Sequence, residues 1–512
     1  MPSSELSCRS DEAPPAGGVI VRHETALLVA ICAVGFVLRL LAVVAVPNLY
    51  RPDAIFQTIE QAHRIVYGTG VVPWEFVYGA RSWLLPGVLA GVMGAARLVG
   101  DGPDYYLPMI AGLWAALSTS CVVIAFLWGK RFDGVAGGIV AAVAVALSAD
   151  AIYYGARSAP EVIGAHVTLV ATYLCEPGYL ARSKRRLFAA GLLFGLAFLL
   201  RFQYAAAIGL VILWTGLRAP RWRLPPIVAG AVIVVLLGGL LDGITWSYPF
   251  ESIWRNLVIN AEYGVADDYG VTPWYAYFIA LAWYWGAGAA VLLFLALLGS
   301  TRLPLLLAAA AAVVLAHSLI PHKEIGFIYL GILLVVVLAA LGLARIVVWT
   351  AAHLAADASR LGVTAACVLA AIEFWTIFSF GEAASAGYMS RWDGDANTLA
   401  AALDVARLQA VCGVGLWGVK WDLSGGYTYM NEPGRLYLPA TPRDLAADAP
   451  GFNVIVYLGT PPEGFGFVRK SCHGAVCVAE RAGGCAAIPA PLTPQIPPLP
   501  RSLAPERATR PQ

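Results

Sequence analysis

The chain has 512 residues, of which 59% are hydrophobic and only 13% charged, against about a quarter charged in soluble domains. A net charge of +2, with no Lys/Arg-rich patch interleaved with aromatics, gives no footing for nucleic acid or another acidic polymer as a partner. The apolar residues fall into runs that can cross a bilayer, which needs about 20 residues, so the composition predicts an all-α polytopic membrane protein.

In chain order, residues 1–24 are polar and mixed in charge, and no small-residue cleavage pattern follows the first apolar run. They read as a cytoplasmic tail ahead of a retained helix. Spans are predicted at 25–46, 106–127, 134–152, 160–177, 187–201, 204–217, 226–244, 274–297, 303–320, 326–345 and 361–380. The short pair 187–201 and 204–217 reads either as one bent helix or as two shallow ones meeting at Arg201-Phe202-Gln203. The apolar stretch 84–100 is left out on grounds of charge. Cytoplasmic loops collect Lys and Arg. The clusters here are Lys130-Arg131, Arg182 with Lys184-Arg185-Arg186, Arg218 with Arg221 and Arg223, then Arg302, then Arg345. All share the cytoplasmic side if the amino terminus is inside and 84–100 lies along the membrane surface. About eleven spans within 25–380 follow, with the carboxyl terminus outside.

That topology gathers four segments on the outer face: 47–105, 245–273, the turn at Pro321-His322-Lys323-Glu324, and a tail from 381. Gly-rich turns and short β-type runs such as Phe452–Tyr457 predict a small extracytoplasmic α/β domain over 381–485. Residues 486–512 are Pro-rich and predicted to be disordered. Five cysteines (Cys8, Cys32, Cys121, Cys175, Cys367) sit in the amino-terminal tail or in spans. Four (Cys412, Cys472, Cys477, Cys485) fall in the outer tail, where an oxidising compartment allows two disulfides in one of three connectivities. A zinc site is the weaker alternative, because no C-x-x-C pair exists. The Ala/Gly/Arg-rich composition points to a bacterium, which would make the membrane the inner one and the outer face periplasmic.

Chemistry-bearing residues concentrate at 51–86. Pro52 and Asp53 suit a first helical turn. Ile55, Phe56, Ile59, Ala62, His63 and Val66 then share one face at helical spacing, and Asp53, Gln57, Glu60, Gln61 and Arg64 share the other. The pattern predicts an interfacial amphipathic helix just outside the first span. Such a polar face is most often simply solvated. Here Trp74, Glu75, Arg81, Ser82 and Trp83 follow within one loop and supply the aromatic surfaces and polar edges that bind sugars.

The ordered elements Arg39-Leu40-Leu41, Pro52-Asp53, Phe56-Gln57, Glu60, His63, Tyr67-Gly68, Trp74-Glu75, Arg81-Ser82 and Pro86 resemble the glycosyltransferase family 22 mannosyltransferases of the GT-C superfamily. Further matches follow at Arg157-Ser158 with Glu161, Arg201-Phe202-Gln203 (where Arg-Pro-Thr is usual), Leu241-Asp242, Asn256, Asn260, Tyr263-Gly264, Tyr269–Tyr275 and His322-Lys323-Glu324. The resemblance covers roughly 30–345 and implies a GT-C fold that uses a lipid-phosphate sugar, as the dolichyl-phosphate-mannose enzymes do, and a lipid-linked or other glycan acceptor. It also implies an inverting displacement on the outer face. Three departures stand out. The family's second acidic residue after the loop aspartate is Ala54, which argues against a two-carboxylate metal site, and the His before the pair is Arg51. The Arg of the family's His-Lys-Glu-x-Arg-Phe motif is Gly326, so one phosphate-binding cation is missing unless Arg51 or Lys323 replaces it.

By this reading Asp53 is the base; Arg81, Arg157, His322 and Lys323 face the donor phosphate; Gln57, Glu60, Trp74, Glu75 and Asp242 orient substrate; and no metal or cofactor is called for. Each cation can equally be an interfacial anchor, and Asp242 a loop cap. The alternatives are a GT-C transferase of another sugar or to a protein acceptor and, remotely, a secondary transporter. A transporter would show inverted repeats and paired midplane ionisable residues, whereas Arg39, His166, Arg201 and Glu373 are scattered.

Overall fold

A computed structural model describes residues 23–176, 183–218, 221–355, 359–431, 434–486, 497–500 and 503. The amino-terminal tail with Cys8, Arg182, the side chains of Arg218 and Arg221, and most of the stretch 486–512 lie outside the described residues.

The apolar runs become helices close to the expected bounds, with Glu24–Val44, Pro160–Cys175, Leu224–Thr245, Pro304–Ser318, Tyr329–Leu354 and Arg360–Ala383 as examples. Among the described residues, five helices are long and apolar enough to cross a membrane, or six if one sharply bent pair counts as a single span. Pro103–Leu147 is a continuous run of helix interrupted at Asp133 and Gly134, where Gly134 takes φ +70°. The chain reverses there. A Cβ built on Gly138 would lie 3.0 Å from the Phe126 carbonyl, so the two arms pack backbone to backbone. Arg39 locks this hairpin to the first helix, donating to Ser118 on one arm and to the Val145 and Ala146 carbonyls on the other. A buried guanidinium is tolerable here because all its nitrogens find acceptors.

Two short helices, Lys184–Leu200 and Ala205–Arg218, meet at a 3-10 turn, Phe202–Tyr204. The predicted span 274–297 is corrected. It is two helices, Ala276–Trp285 and Gly288–Ser300, bent by 106° at Gly286. The segment before the first is tied through Thr272 N to Pro321 O, and its far end through Trp285 Nε1 to Asp150. Glycine supplies the φ of +51° that this corner needs. The stretch left out of the spans forms the 13-residue helix Leu84–Ala96.

The basic residues collect at one end of the bundle. Lys130 pairs with Glu24, Arg131 with Glu176, and Arg302 lies over Phe132. Arg223 reaches the Cys175 carbonyl and Arg345 reaches Thr301.

The other end carries the loops and the predicted α/β domain. Its five strands are β1 (Gly413–Trp417), β2 (Arg435–Tyr437), β3 (Val454–Leu458), β4 (Val468–His473) and β5 (Val476–Glu480), in the order β2-β1-β3-β5-β4. The first three pair in parallel, and β5 and β4 add on antiparallel. Disulfides join Cys412 to Cys485 and Cys472 to Cys477. Leu499 and Leu503 pack against the cluster around Trp74 and Tyr78, and the Tyr78 hydroxyl donates to the Pro497 carbonyl.

Candidate active site

The segment after Arg51 starts as expected, with Pro52 in the first turn of a short helix, but Ile55–Ile59 is a π-turn before the α-helix resumes at Glu60–Tyr67. A π-turn takes in one extra residue, a device frequent at functional sites. It rotates everything after it by about 100°, the arc of one residue on a helix. The predicted polar stripe is therefore split. Asp53 and Gln57 face a cavity of about 830 Å³ at the end of the bundle away from the basic loops, whereas Glu60 does not line it.

Glu60 is fully buried, and the expectation that it orients substrate is corrected. Its carboxylate accepts hydrogen bonds from Val71 N, Tyr427 N, Thr428 N and Thr428 Oγ1. It thus staples the segment 51–86 to the start of the helix Gly426–Met430 in the α/β domain. Gly426 makes the approach possible, because a Cβ there would sit 2.7 Å from Glu60 Oε1. The helix predicted to lie at the membrane interface is sandwiched between the bundle and this domain.

The cavity wall draws on five segments: 51–57, 73–81, 201–203, 256–269 and 319–327, with Trp421 and Asp422 from the α/β domain. Gln57 is the bridge in its floor, donating to Glu75 at 2.6 Å and accepting from Arg81 Nε at 2.7 Å. The segment 245–273 fixes that corner, since Trp246 Nε1 donates to the Arg81 carbonyl and Asn256 to the Ala80 carbonyl. Trp74 lines the same wall.

Arg51 is the electrostatic hub. It contacts Glu161 at 3.1 Å and Asp53 at 3.3 Å, pairs with Glu324, and stacks on Phe327 with its guanidinium carbon 4.5 Å from the ring centre. A Cβ built on Gly326 would fall 3.5 Å from the Arg51 guanidinium and 1.6 Å from the Tyr50 hydroxyl. The Tyr50 hydroxyl thus occupies the space that a side chain at 326 would need, with the Arg51 guanidinium in ordinary contact beside it. His322 has acceptors at both ring nitrogens, the Gly270 carbonyl and Glu324, each at 2.9 Å. Only the doubly protonated ring can donate to both, and the Glu324 hydrogen bond accordingly raises its pKa. Burial pushes the Glu324 carboxyl up, but Arg51 and His322 together hold it below its ordinary value.

The other predicted residues part company. Arg157 is corrected from phosphate ligand to structural tie. It is buried outside the large cavity, with its guanidinium donating to the Asn48 side chain and to the Asn48 and Tyr153 carbonyls. Lys323 also leaves the cavity wall, its ammonium capping the Thr272 and Ile320 carbonyls. Asp242 accepts from Ser252 N and Oγ and holds the turn into Glu251–Ala261, away from the cavity. Arg201 takes the place those residues leave. It lines the cavity, 93% buried by its 7% exposure, over Phe327 at 4.2 Å, with Nε unpartnered. A charge in the break between two short apolar helices was the available signal, because an ionisable residue in such a place is a functional candidate by default.

Two carboxyls face one another's fields here. Burial raises Asp53 above its ordinary value against the pull of Arg51, while its side chain stays 44% exposed toward the cavity. Burial and the Asp53 charge push Glu75 up to about 8. Folding therefore favours protonated Glu75. That stabilisation is complete below the unperturbed value of about 4.3 and is lost as pH rises toward 8. Thermal unfolding of the wild type should show stability falling over this window, and Glu75→Gln should flatten the slope. Parallel slopes would contradict the shift.

Comparison with known proteins adds to this geometry. The model of the Alg9-like mannosyltransferase family matches residues 30–403. A GPI mannosyltransferase 3 from Yarrowia lipolytica is 28% identical over 298 residues, covering 55% of this chain and 56% of that protein. GPI alpha-1,2-mannosyltransferase 3 from Danio rerio is 24% identical over 333 residues, covering 61% and 59%. The chain thus spans little more than half the length of these curated relatives. The crystal structure of ArnT from Cupriavidus metallidurans bound to undecaprenyl phosphate shares the fold, with a TM-score of 0.57 at 12% identity, covering 93% of this chain and 100% of that one.

Proposed function

The chain belongs to the Alg9-like mannosyltransferase family, and from that premise we propose that it transfers a mannosyl residue from a polyprenyl-phosphate carrier to a hydroxyl of a lipid-linked or similar glycan acceptor. The observation that carries this reading is the company Asp53 keeps. Its carboxylate opens into the same cavity as Arg81 and Arg201, neither of which has a carboxylate at ion-pairing distance among the described residues. The acceptor oxygen attacks the anomeric carbon from the face opposite the phosphate, so the configuration inverts. The bond from that carbon to the phosphate oxygen breaks with its electron pair, and the hydroxyl proton passes to Asp53. The raised pKa makes Asp53 a better acceptor of that proton than a solvated aspartate. Arg81 and Arg201, aided by His322, compensate the charge that builds on the leaving phosphate. A cavity of about 830 Å³ lies toward the upper end of small-molecule sites and suits two substrates. The undecaprenyl phosphate held by ArnT, which shares the fold, fits a polyprenyl-phosphate donor.

The basic end of the bundle favours the cytoplasmic side, which puts the cavity and the α/β domain on the non-cytoplasmic face, reached by about eleven crossings. Purified protein in lipid should transfer mannose from polyprenyl-phosphate mannose in preference to the glucose and arabinose analogues. Preference for another sugar, or transfer from a nucleotide sugar, would overturn the donor assignment. Impermeant thiol labelling of cysteines placed at Asp101 and Arg443 should occur from outside, and labelling only from the cytoplasm would overturn the topology.

A further inference from the structure

Trp421 and Asp422 belong to the domain that the family resemblance does not reach, yet they line the catalytic cavity. We propose that they form the acceptor subsite, which takes the terminal pyranose of a neutral glycan, with Trp421 under the sugar face and Asp422 accepting from its hydroxyls. This rests on the transferase reading above and names the substrate class of the same site.

Three independent features support it. The first is topology. The two residues lie in the segment that follows the carboxyl end of β1. Beside that end the strand order changes direction, since the chain runs from β1 to β2 on one side and then to β3 on the other. Open α/β sheets bind ligands in that crevice. The second is position. Trp421 meets Phe56 edge to face at 4.9 Å. Phe56 is three residues after Asp53, about 4.5 Å of helical rise, so the Trp421 wall adjoins the base. The hydroxyl that the base deprotonates must lie there, while the donor phosphate goes to Arg81 and Arg201. The Glu60 staple to Tyr427 and Thr428 fixes the domain in that place. The third is chemistry. Trp421 is only half-buried, leaving ring surface on the cavity wall, and Asp422 makes no hydrogen bond or ion pair among the described residues. An aromatic face beside an uncommitted carboxylate is the pairing that pyranoses use. With Asp267 on the same wall, the carboxylates disfavour a sugar that carries its own carboxylate.

The test uses full-length protein in lipid, with polyprenyl-phosphate mannose as donor and octyl α-mannoside as acceptor. Trp421→Leu keeps bulk against Phe56 but loses the ring, and it should raise the acceptor KM about tenfold. Asp422→Asn should raise it to a similar degree. In both, the donor KM stays near that of the wild type, which also shows that the cavity has folded. Trp421→Phe should restore most of the loss. Octyl glucuronide should be refused by the wild type and tolerated better by Asp422→Asn. If the wild type transfers mannose and both variants keep its acceptor KM, the subsite is overturned. If the wild type transfers from no polyprenyl-phosphate sugar, the transferase reading falls and the subsite with it.

Discussion

Asp53→Asn is expected to leave a folded, membrane-inserted protein whose transfer rate has dropped by about 10²–10⁴-fold. Asparagine has the same size and keeps an oxygen that can accept from Arg51 Nη2, now 3.3 Å from Asp53 Oδ2, so the turn from Pro52 should form unchanged. What disappears is the charge and the place for a proton. Glu60 cannot stand in, because four hydrogen bonds commit its carboxylate to Val71, Tyr427 and Thr428. Glu75 is the real competitor. It shares the cavity, and the Asp53 charge is one of the causes that hold its pKa up at about 8. Removing that charge lowers Glu75 and makes it more available as a base. Residual activity in Asp53→Asn should therefore vanish in the Asp53→Asn/Glu75→Gln double variant. Asp242→Asn is the control, with a loss of stability and little loss of turnover, since Asp242 braces Ser252 and lies outside the cavity. A rate above about a tenth of wild type for Asp53→Asn lies outside the general-base range and would remove Asp53 from that role.

The limits of the sequence lie along physical lines. Apolar runs and basic loops follow from composition over twenty residues, so the helices Glu24–Val44, Leu224–Thr245 and Arg360–Ala383 are legible almost to their ends. The corner at Gly286 is not, because an apolar run reads alike whether it is one straight helix or two that meet at a bend. At 52–67 the helical face pattern correctly pairs Asp53 with Gln57, yet it misplaces Glu60, since periodicity assumes a constant 3.6 residues per turn and the π-turn at Ile55–Ile59 breaks it. Motif matches located His322 and Arg157, but a motif does not say which way a side chain points. Arg157 turned to Asn48, and Lys323 to the carbonyls of its own turn. Trp421 and Asp422 lie more than 300 residues from Asp53, beyond the residues that the family model matches, and only the folded chain brings them to it.

The cluster around Arg51, which we propose stands in for the arginine that the family motif carries at 326, yields the other large effect. Arg51→Ala should both destabilise the outer end and abolish turnover, because three carboxylates, Asp53, Glu161 and Glu324, converge on this one guanidinium. Removing one member of a buried pair such as Arg51–Glu161, whose side chains are 11% and 6% exposed, costs about 3–5 kcal/mol. Arg51→Lys separates charge from geometry. It keeps the positive charge, but a point cation on a flexible stem cannot serve three carboxylates at once as a planar fork does. That variant should fold and still lose about 10²-fold in turnover, the cost of displacing a catalytic group by about 1 Å. The family pattern carries the opposite arrangement, a His at position 51 and an Arg at position 326. In this chain the Tyr50 hydroxyl blocks position 326, so Gly326→Arg alone should be inactive. Combining Tyr50→Phe, Arg51→His and Gly326→Arg clears that hydroxyl and returns a cation to the carboxylates from the other side. Residues that share one network are coupled rather than additive, so the triple variant should exceed Arg51→His alone in transfer rate. If it does no better, the two positions are independent, and Arg51 is not the replacement for the motif arginine.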